Sequence, residues 1–241
     1  REGYREENLI GAPDLVVIGN AISRGNPEAE AVLERKLLYC SLPELLKDTF
    51  IRGKRSIVVA GTHGKTTTAS LLTWVFEHSG LNPSYLIGGI PNNFSQGARF
   101  TDSAWFIIEG DEYDTAFFDK RSKFVHYLPE VAVLNNLEFD HADIFENLAQ
   151  IQTSFRRFIN LIPRNGLLIA NGDDVNIAPL LGIDHCPIQR FGLSDATDLG
   201  FSEKGSHFSV NGSKFLLPLF GEINIRNALA GIWVARHCGL I

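Results

Sequence analysis

The sequence predicts an α/β fold in which a mostly parallel sheet is flanked by helices and carries a small antiparallel β extension. Three observations support this prediction. Short apolar runs alternate with helical segments over residues 15–170, as is typical of buried parallel strands and their crossover helices. After about residue 186 the runs become short and closely spaced, which favours antiparallel strands. With 241 residues, of which 44% are apolar and 21% are charged, the chain can bury a substantial core.

The first 50 residues contain the elements of a small α/β unit. The apolar run at residues 15–19 predicts a buried strand. Residues 26–28 read Asn-Pro-Glu and predict a helix start, because asparagine caps helices and proline fits their first position. A second short strand is predicted at residues 37–40. Residues 41–44 read Ser-Leu-Pro-Glu and predict another helix start. We therefore expect residues 1–50 to be the end of an α/β unit whose beginning lies outside the sequence.

The remaining elements follow the same logic. Four apolar runs predict the parallel strands, at residues 57–60, 105–108, 131–134 and 167–170. Apolar faces and terminating residues predict three helices, at residues 66–79, 148–162 and 224–237. Short runs late in the chain predict antiparallel strands at residues 189–191, 207–210 and 215–219.

A loop with two glycines joins the first of these parallel strands to its helix. It lacks the glycine that opens the usual G-x-x-x-x-G-K-[ST] pattern, because Val59 stands there. Backbone N–H groups and a helix N-terminus nevertheless favour an anion, and Lys65 adds a full positive charge. The Thr66 hydroxyl can bind Mg²⁺ or a phosphate oxygen, whereas Thr67 either caps the helix or touches phosphate. Strand, loop and helix together predict a nucleotide site formed by Gly61, Thr62, His63, Gly64, Lys65, Thr66 and Thr67; the alternative is an ordinary turn between strand and helix.

Carboxylates follow the strand at residues 105–108. Ligands gather at the carboxyl ends of parallel strands, and Mg²⁺ prefers oxygen ligands. Glu109, the nearest to the strand end, is therefore the metal candidate. Three further acids either line the site or form a solvated loop: Asp111, Glu112 and Asp114.

A second polar segment, N-N-L-E-F-D-H, follows the strand at residues 131–134. Its His141 could bind a metal ion or phosphate, and the alternative is a structural histidine.

Composition excludes several classes of protein. The net charge of −6 and the lack of a basic run argue against nucleic-acid binding. No apolar stretch approaches the roughly 18 residues that cross a bilayer, and no signal peptide is visible. Three widely separated cysteines without a C-x-x-C pattern suit a reducing compartment. We expect a cytoplasmic protein that binds neither membranes nor nucleic acid.

Four motifs, taken in order, resemble the signatures of the Mur ligases, the ATP-dependent enzymes that form amide bonds in peptidoglycan synthesis. They read G-T-H-G-K-T-T, E-G-D-E-Y-D, N-N-L-E-F-D-H and G-E-I-N-I-R-N-A-L-A, and the resemblance covers residues 55–241. The family's phosphate loop is a short G-T-x-G-K-[ST]-[ST], in which Val59 is normal. The resemblance implies an ATP-binding central domain at residues 51–241. It also implies that residues 1–50 end a Rossmann-like domain that binds the UDP substrate, and that a C-terminal domain is absent.

The resemblance also assigns roles. It implies that Lys65 and Thr66 hold phosphates and one Mg²⁺, and that Glu109 and His141 form a metal-site pair. Lys65, Glu109 and His141 are then the catalytic residues. Asn227, with Asn224 beside it, would face the adenine of ATP. The Gly-Gly-Ile-Pro-Asn-Asn turn at residues 88–93 would face the substrate.

The sequence departs from the family pattern at two sites. Ile223 stands where the adenine motif G-x-H-N-x-x-N has histidine. Several relatives also carry a carbamylated lysine about fifteen residues after the metal histidine, where this sequence has Phe155 and Arg156. We expect the adenine contacts to differ from those of the family pattern at Ile223. We also expect either another group in place of that lysine or a different second metal site.

Three blocks carry a finer resemblance, at residues 19–27, 112–124 and 135–145. They are similar to the family members that join the murein tripeptide L-Ala-γ-D-Glu-meso-diaminopimelate to UDP-N-acetylmuramate through an acyl phosphate, in peptidoglycan recycling. The alternatives are a UDP-N-acetylmuramate–L-alanine ligase, more remotely a folate polyglutamate ligase, and a nucleotide-binding switch that does no ligation.

Overall fold

A computed structural model describes residues 2–11, 13–139 and 145–241. Fourteen strands lie within these residues: β1 (Val16–Ile18), β2 (Tyr39–Ser41), β3 (Arg55–Ala60), β4 (Ser84–Leu86), β5 (Ala98–Arg99), β6 (Trp105–Gly110), β7 (Asp114–Ala116), β8 (Asp119–Ser122), β9 (Val131–Leu134), β10 (Leu167–Asn171), β11 (Ile188–Phe191), β12 (Thr197–Ser202), β13 (Gly205–Val210) and β14 (Ser213–Leu217). The α-helices of the same residues are α1 (Pro27–Glu34), α2 (Leu42–Leu45), α3 (Lys65–His78), α4 (Leu148–Ile159) and α5 (Glu222–His237).

The predicted α/β fold is confirmed. Within the described residues a seven-stranded sheet has the order β11-β10-β9-β3-β6-β4-β5. Its strands pair in parallel, except that β5 runs antiparallel to β4. Strands β12, β13 and β14 form the small antiparallel extension.

Helices cover both faces of this sheet. Along β3, Ile57 and Val59 point into the core beneath α3 and α5, whereas Val58 and Ala60 point into the core beneath α4. All four side chains are fully buried. This two-sided burial explains why the central strands read as continuous apolar runs instead of alternating ones.

The register of the sheet brings three loops to one edge. Ala60, the last residue of β3, pairs with Gly110 of β6 and with Leu134 of β9. The loops that follow these strands therefore begin side by side. They contain the glycine loop, the acidic loop and the N-N-L-E segment.

The prediction for residues 189–191 was wrong in direction, because β11 pairs in parallel with β10. A parallel neighbour needs a crossover connection, and residues 172–187 supply one. Alternating side chains indicate which face is buried but not which way a strand runs. Strand β12 was missed because its side chains are mostly exposed and give no apolar period. Helix α4 also ends earlier than predicted, at Ile159.

The first 50 residues fold as their capping signals predict. The Asn26 side chain accepts hydrogen bonds from the N–H groups of Glu28 and Ala29 at the start of α1. Strands β1 and β2 pair in parallel as a sheet of their own. Leu46 and Ile51 nevertheless lie in the core on the α4 side of the central sheet. Within the described residues, no helix is both long enough and apolar enough to pass through a bilayer.

Candidate active site

The glycine loop connects β3 to α3 and presents a helix N-terminus at the sheet edge. Gly61 has φ 137° and Gly64 has φ 79°, values that L side chains rarely adopt. Thr68 donates the first hydrogen bond of α3, to the Gly64 carbonyl at 2.9 Å. The N–H groups of residues 65–67 precede that bond and are therefore available to an anion.

Close packing requires both glycines of the loop. A Cβ on Gly64 would lie 2.3 Å from Oδ1 of Asn227, and a Cβ on Gly61 would lie 3.0 Å from the Asn136 carbonyl oxygen. The loop is thus pressed between α5 and the N-N-L-E segment. Two glycines suffice because, among residues 61–67 of the loop, only these two combine positive φ with a near neighbour.

Asn136 fixes the loop by hydrogen bonds on both sides of its amide. Its Oδ1 accepts from the His63 N–H at 2.7 Å, and its Nδ2 donates to the His63 carbonyl at 2.9 Å. Thr62 donates its N–H to the Asn136 carbonyl and accepts from the Glu138 N–H at 2.9 Å. Thr62 and His63, both predicted nucleotide ligands, therefore also hold the loop in shape.

Lys65 is folded against its own loop and a buried acid. Its Nζ donates to the Gly61 carbonyl at 2.7 Å and to the Thr62 carbonyl at 3.2 Å. It also lies 3.0 and 3.2 Å from the two carboxylate oxygens of Glu112, which is only 3% exposed. The Lys65 ammonium thus lies at the start of α3 with its charge compensated by the Glu112 carboxylate.

The acidic loop separates into different roles. Glu112 contacts Lys65. Asp111 pairs with Lys123 at 2.6 Å and lines the same cavity as Lys65 and Glu109, whereas Asp114 pairs with Lys120 at 2.6 Å. In the sequence these three acids were equivalent candidates. Nothing in the local pattern distinguishes the buried one.

Thr66 and Glu109, the predicted metal ligands among the described residues, lie together. The Thr66 hydroxyl donates to Oε2 of Glu109 at 3.1 Å, and the Gly88 N–H donates to Oε1 at 2.8 Å. Burial raises the pKa of the Glu109 carboxyl, while the bonds from Gly88 and Thr66 oppose this increase. A hydroxyl and a partly desolvated carboxylate beside a phosphate loop fit Mg²⁺, which takes one or two carboxylates plus phosphate oxygens and water.

His141 lies outside the described residues. Among the residues with described positions, no group of three or more His, Cys, Asp or Glu side chains could hold a metal ion. Of the metal-site pair predicted from the sequence, the structure therefore describes only Glu109.

A cavity of about 650 Å³ opens beside this constellation. His63, Lys65 and Glu109 form one side, and Gly19 and Leu42 of the first 50 residues line it as well. Its volume lies in the range of small-molecule sites. We call this cavity the cleft.

A smaller cavity, of about 270 Å³, lies on the α5 side of the loop. Phe191, Ile223, Arg226 and Asn227 are among its lining residues. Asn227 is 3% exposed and donates to Oδ1 of Asn224 at 3.4 Å. Asn227 thus both supports Gly64 and borders a space beside the phosphate loop.

The profile of the Mur ligase middle domain matches residues 59–235. This chain belongs to the Mur ligase family. The UDP-N-acetylmuramate–L-alanyl-γ-D-glutamyl-meso-2,6-diaminoheptandioate ligase of Escherichia coli (strain K12) is 44% identical over 246 residues, covering 99% of this chain and 54% of that protein. The UDP-N-acetylmuramate–L-alanine ligase of Clostridium tetani (strain Massachusetts / E88) is 32% identical over 243 residues, covering 97% of this chain and 52% of that protein.

A solved structure supports the same assignment. It is the UDP-N-acetylmuramate:L-alanyl-γ-D-glutamyl-meso-diaminopimelate ligase from Neisseria meningitides, with a TM-score of 0.91 and 42% identity. The similarity covers 99% of this chain and 79% of that one. The chain spans about half the length of the curated relatives that it matches.

The sequence analysis left the role of Glu112 open and assigned none to Asn136. Glu112 holds Lys65, and Asn136 holds the glycine loop. The only available signal for Asn136 was its position after an apolar strand. That signal could not show that β9 lies directly beside β3.

The pKa of Glu109 predicts a pH-dependent effect on stability. The folded protein binds the Glu109 proton more tightly than the unfolded chain does. The free energy of unfolding therefore decreases as the pH rises from the ordinary pKa of 4.5 through the raised pKa of the folded state. Glu109→Gln should therefore raise the melting temperature at neutral pH without divalent cations, since a glutamine can still accept from Gly88. This gain should shrink towards zero as the pH falls to about 4.5.

Thermal melts of both proteins across this pH range, in EDTA, measure the difference. The exposed turn substitution Glu203→Gln is the matched control and should give no such trend. A gain for Glu109→Gln that is constant with pH would show that the carboxylate charge is not its source.

Proposed function

We propose that this chain is the nucleotide-binding part of an ATP-dependent ligase that joins L-Ala-γ-D-Glu-meso-diaminopimelate to UDP-N-acetylmuramate through an acyl phosphate. The observation that carries the proposal is the cleft. It brings the loop lysine Lys65 and the carboxylate of Glu109 to the same space as residues of the N-terminal segment. In this proposal residues 51–241 are the ATP-binding domain, and residues 1–50 end the domain that binds the UDP substrate.

The first chemical step must overcome repulsion between two anions. The carboxylate of UDP-N-acetylmuramate attacks the γ-phosphorus of ATP, a new P–O bond forms, and the P–O bond to ADP breaks. Lys65 and the N–H groups at the start of α3 offset the negative charge that is shared during this transfer. Thr66 and Glu109 would hold Mg²⁺, which when bound would supply further positive charge against the negative charge of the phosphates.

In the second step the amine of the tripeptide completes the ligation. Its nitrogen must first lose a proton from the ammonium form, and the lone pair then attacks the acyl carbon. The C–N bond forms, the C–O bond to phosphate breaks, and inorganic phosphate leaves. The amide nitrogen loses its second proton as the tetrahedral intermediate collapses.

The nucleotide fits between the two cavities of the loop. In our proposal its phosphates lie over residues 61–67, and its adenine enters the cavity of about 270 Å³ that Asn227 borders. Ile223 also borders that cavity and offers only apolar contact where a histidine would offer a hydrogen bond. Because the substrates include ATP and a nucleotide-linked sugar, the reaction belongs in the cytoplasm.

The tripeptide is favoured over L-alanine by sequence similarity. Identity to the E. coli tripeptide ligase is 44%, against 32% for the C. tetani alanine ligase over nearly the same part of this chain. The second candidate function is therefore alanine addition. A nucleotide switch that does no ligation would hydrolyse ATP without UDP-N-acetylmuramate.

A coupled ADP-release assay on the full-length protein tests the proposal. The reaction contains Mg-ATP and UDP-N-acetylmuramate, with either the tripeptide or L-alanine as acceptor. We expect turnover with the tripeptide and little with L-alanine. Turnover with L-alanine alone would establish alanine addition instead. ADP release that does not depend on UDP-N-acetylmuramate would exclude both ligase activities.

A further inference from the structure

The ammonium group of Lys65 has more acceptors around it than it has protons to donate. Four oxygen atoms lie within 3.2 Å of its Nζ: the carbonyl oxygens of Gly61 and Thr62, and both carboxylate oxygens of Glu112. An ammonium group has three N–H donors. A phosphate oxygen can therefore bond to this nitrogen only by displacing an oxygen that is already there.

Among these acceptors, only the Glu112 carboxylate carries a formal charge. Its nearer oxygen lies 3.0 Å from Nζ, and the side chains of the pair are only 3% exposed for Glu112 and 15% exposed for Lys65. Because burial weakens screening by water and salt, the two charges attract each other more strongly here than they would at the surface. The carboxylate is thus the acceptor that competes most strongly with phosphate for the lysine.

The backbone on either side of Glu112 is held in place. The Asp111 carbonyl accepts a hydrogen bond from the Phe124 N–H at 3.2 Å. The Tyr113 carbonyl accepts one from the Lys123 N–H at 2.9 Å. Phe124 is itself fully buried, in the core on the α4 side of the sheet. The carboxylate is therefore presented to the phosphate loop from a support that is anchored in the core.

We propose that Glu112 is a positioning residue that acts as a counter-ion latch: it holds Lys65 in the empty site and weakens the binding of nucleotide phosphates. This inference rests on the proposed function, because it concerns the nucleotide of that reaction. Carboxylate and phosphate are both anions, so exchanging one for the other gains less than binding phosphate to an uncompensated lysine would. ADP meets the same competition as ATP, so the latch also favours release of the product nucleotide.

Glu112→Gln in the full-length protein tests the proposal, because it removes the charge and keeps the shape of the side chain. We expect the Kd for Mg-ADP to fall about tenfold, which is the scale of one partly screened charge contact. The KM for ATP should fall as well. The Kd for adenosine, which has no phosphate, should stay unchanged.

Asp114→Asn is the matched control, since Asp114 comes from the same acidic segment but pairs with Lys120. It also removes one carboxylate charge, and it should leave both Kd values unchanged. Glu112→Asp keeps the charge but withdraws it by one methylene group, so it should lower the Kd for Mg-ADP by a smaller factor. This variant gives an independent test if melting curves show that Glu112→Gln does not fold.

Calorimetric titrations with Mg-ADP and adenosine separate the outcomes. An unchanged or higher Kd for Mg-ADP in folded Glu112→Gln would overturn the latch and leave the proposed function standing. An equal fall in the Kd for adenosine, or for Mg-ADP in Asp114→Asn, would overturn it too, because the effect would not depend on the lysine at the phosphates. Failure of the unmodified protein to bind Mg-ADP would instead refute the proposed nucleotide site.

Discussion

In the full-length protein, Lys65→Ala is expected to reduce the proposed ligation by at least about 10³-fold, because it removes the lysine charge at the proposed phosphate site. The lysine contacts two carbonyl oxygens of its own loop and both oxygens of Glu112. ADP release with the tripeptide and UDP-N-acetylmuramate measures this loss. Lys204→Ala, at an exposed turn between β12 and β13, is the control and should keep full activity.

The same substitution should also reduce stability. Glu112 is 3% exposed, and removing Lys65 leaves its carboxylate buried beside an uncharged side chain. Breaking such a buried pair costs about 3–5 kcal/mol. The double variant Lys65→Ala/Glu112→Gln should recover much of that stability, because the buried charge is gone, while remaining inactive.

The double variant separates catalysis from folding. Denaturant unfolding of the two variants measures the recovery, and the ADP-release assay measures the remaining activity. Undiminished turnover by Lys65→Ala would exclude the loop as the phosphate site. Equal stability of the single and double variants would show that the Glu112 charge costs nothing without Lys65.

Glu109→Ala is expected to raise the Mg²⁺ concentration needed for half-maximal activity by about tenfold or more, because it removes one carboxylate ligand. The carboxylate lies 3.1 Å from the Thr66 hydroxyl, so both would contact the same ion. Thr66→Val should raise the Mg²⁺ requirement as well, though less, because it removes a neutral ligand.

A Mg²⁺ titration of ligation at saturating substrates distinguishes a metal role from a structural one. High Mg²⁺ should restore part of the activity of Glu109→Ala, whereas it cannot restore Lys65→Ala. The exposed control Glu203→Ala should follow the titration of the unmodified protein. If the half-maximal Mg²⁺ concentration does not change in Glu109→Ala, this carboxylate is not a metal ligand.

Much of this site follows from local sequence. The glycine loop, the start of α3 and the proximity of Lys65 and Thr66 depend on residues within one strand, one turn and one helix. Continuous apolar runs also predicted the central strands, because both faces of the sheet are covered. Even the departure at Val59 is local, since only Gly61 and Gly64 need a glycine's backbone freedom.

Three features needed the tertiary structure. Glu112 was equivalent to Asp111 and Asp114 in sequence, and it became the partner of Lys65 because the loop turns only that side chain inward. Asn136 acquired its role because β9 lies beside β3 in the sheet.

The third feature is the direction of β11. An apolar period indicates which face of this strand is buried, but it does not indicate which strand lies beside it or whether the two run parallel. By itself the sequence determined the elements and the phosphate loop, because these depend on interactions between near neighbours. The tertiary structure decided which distant polar groups meet, because that depends on strand order and on the packing of α4 and α5 against the sheet.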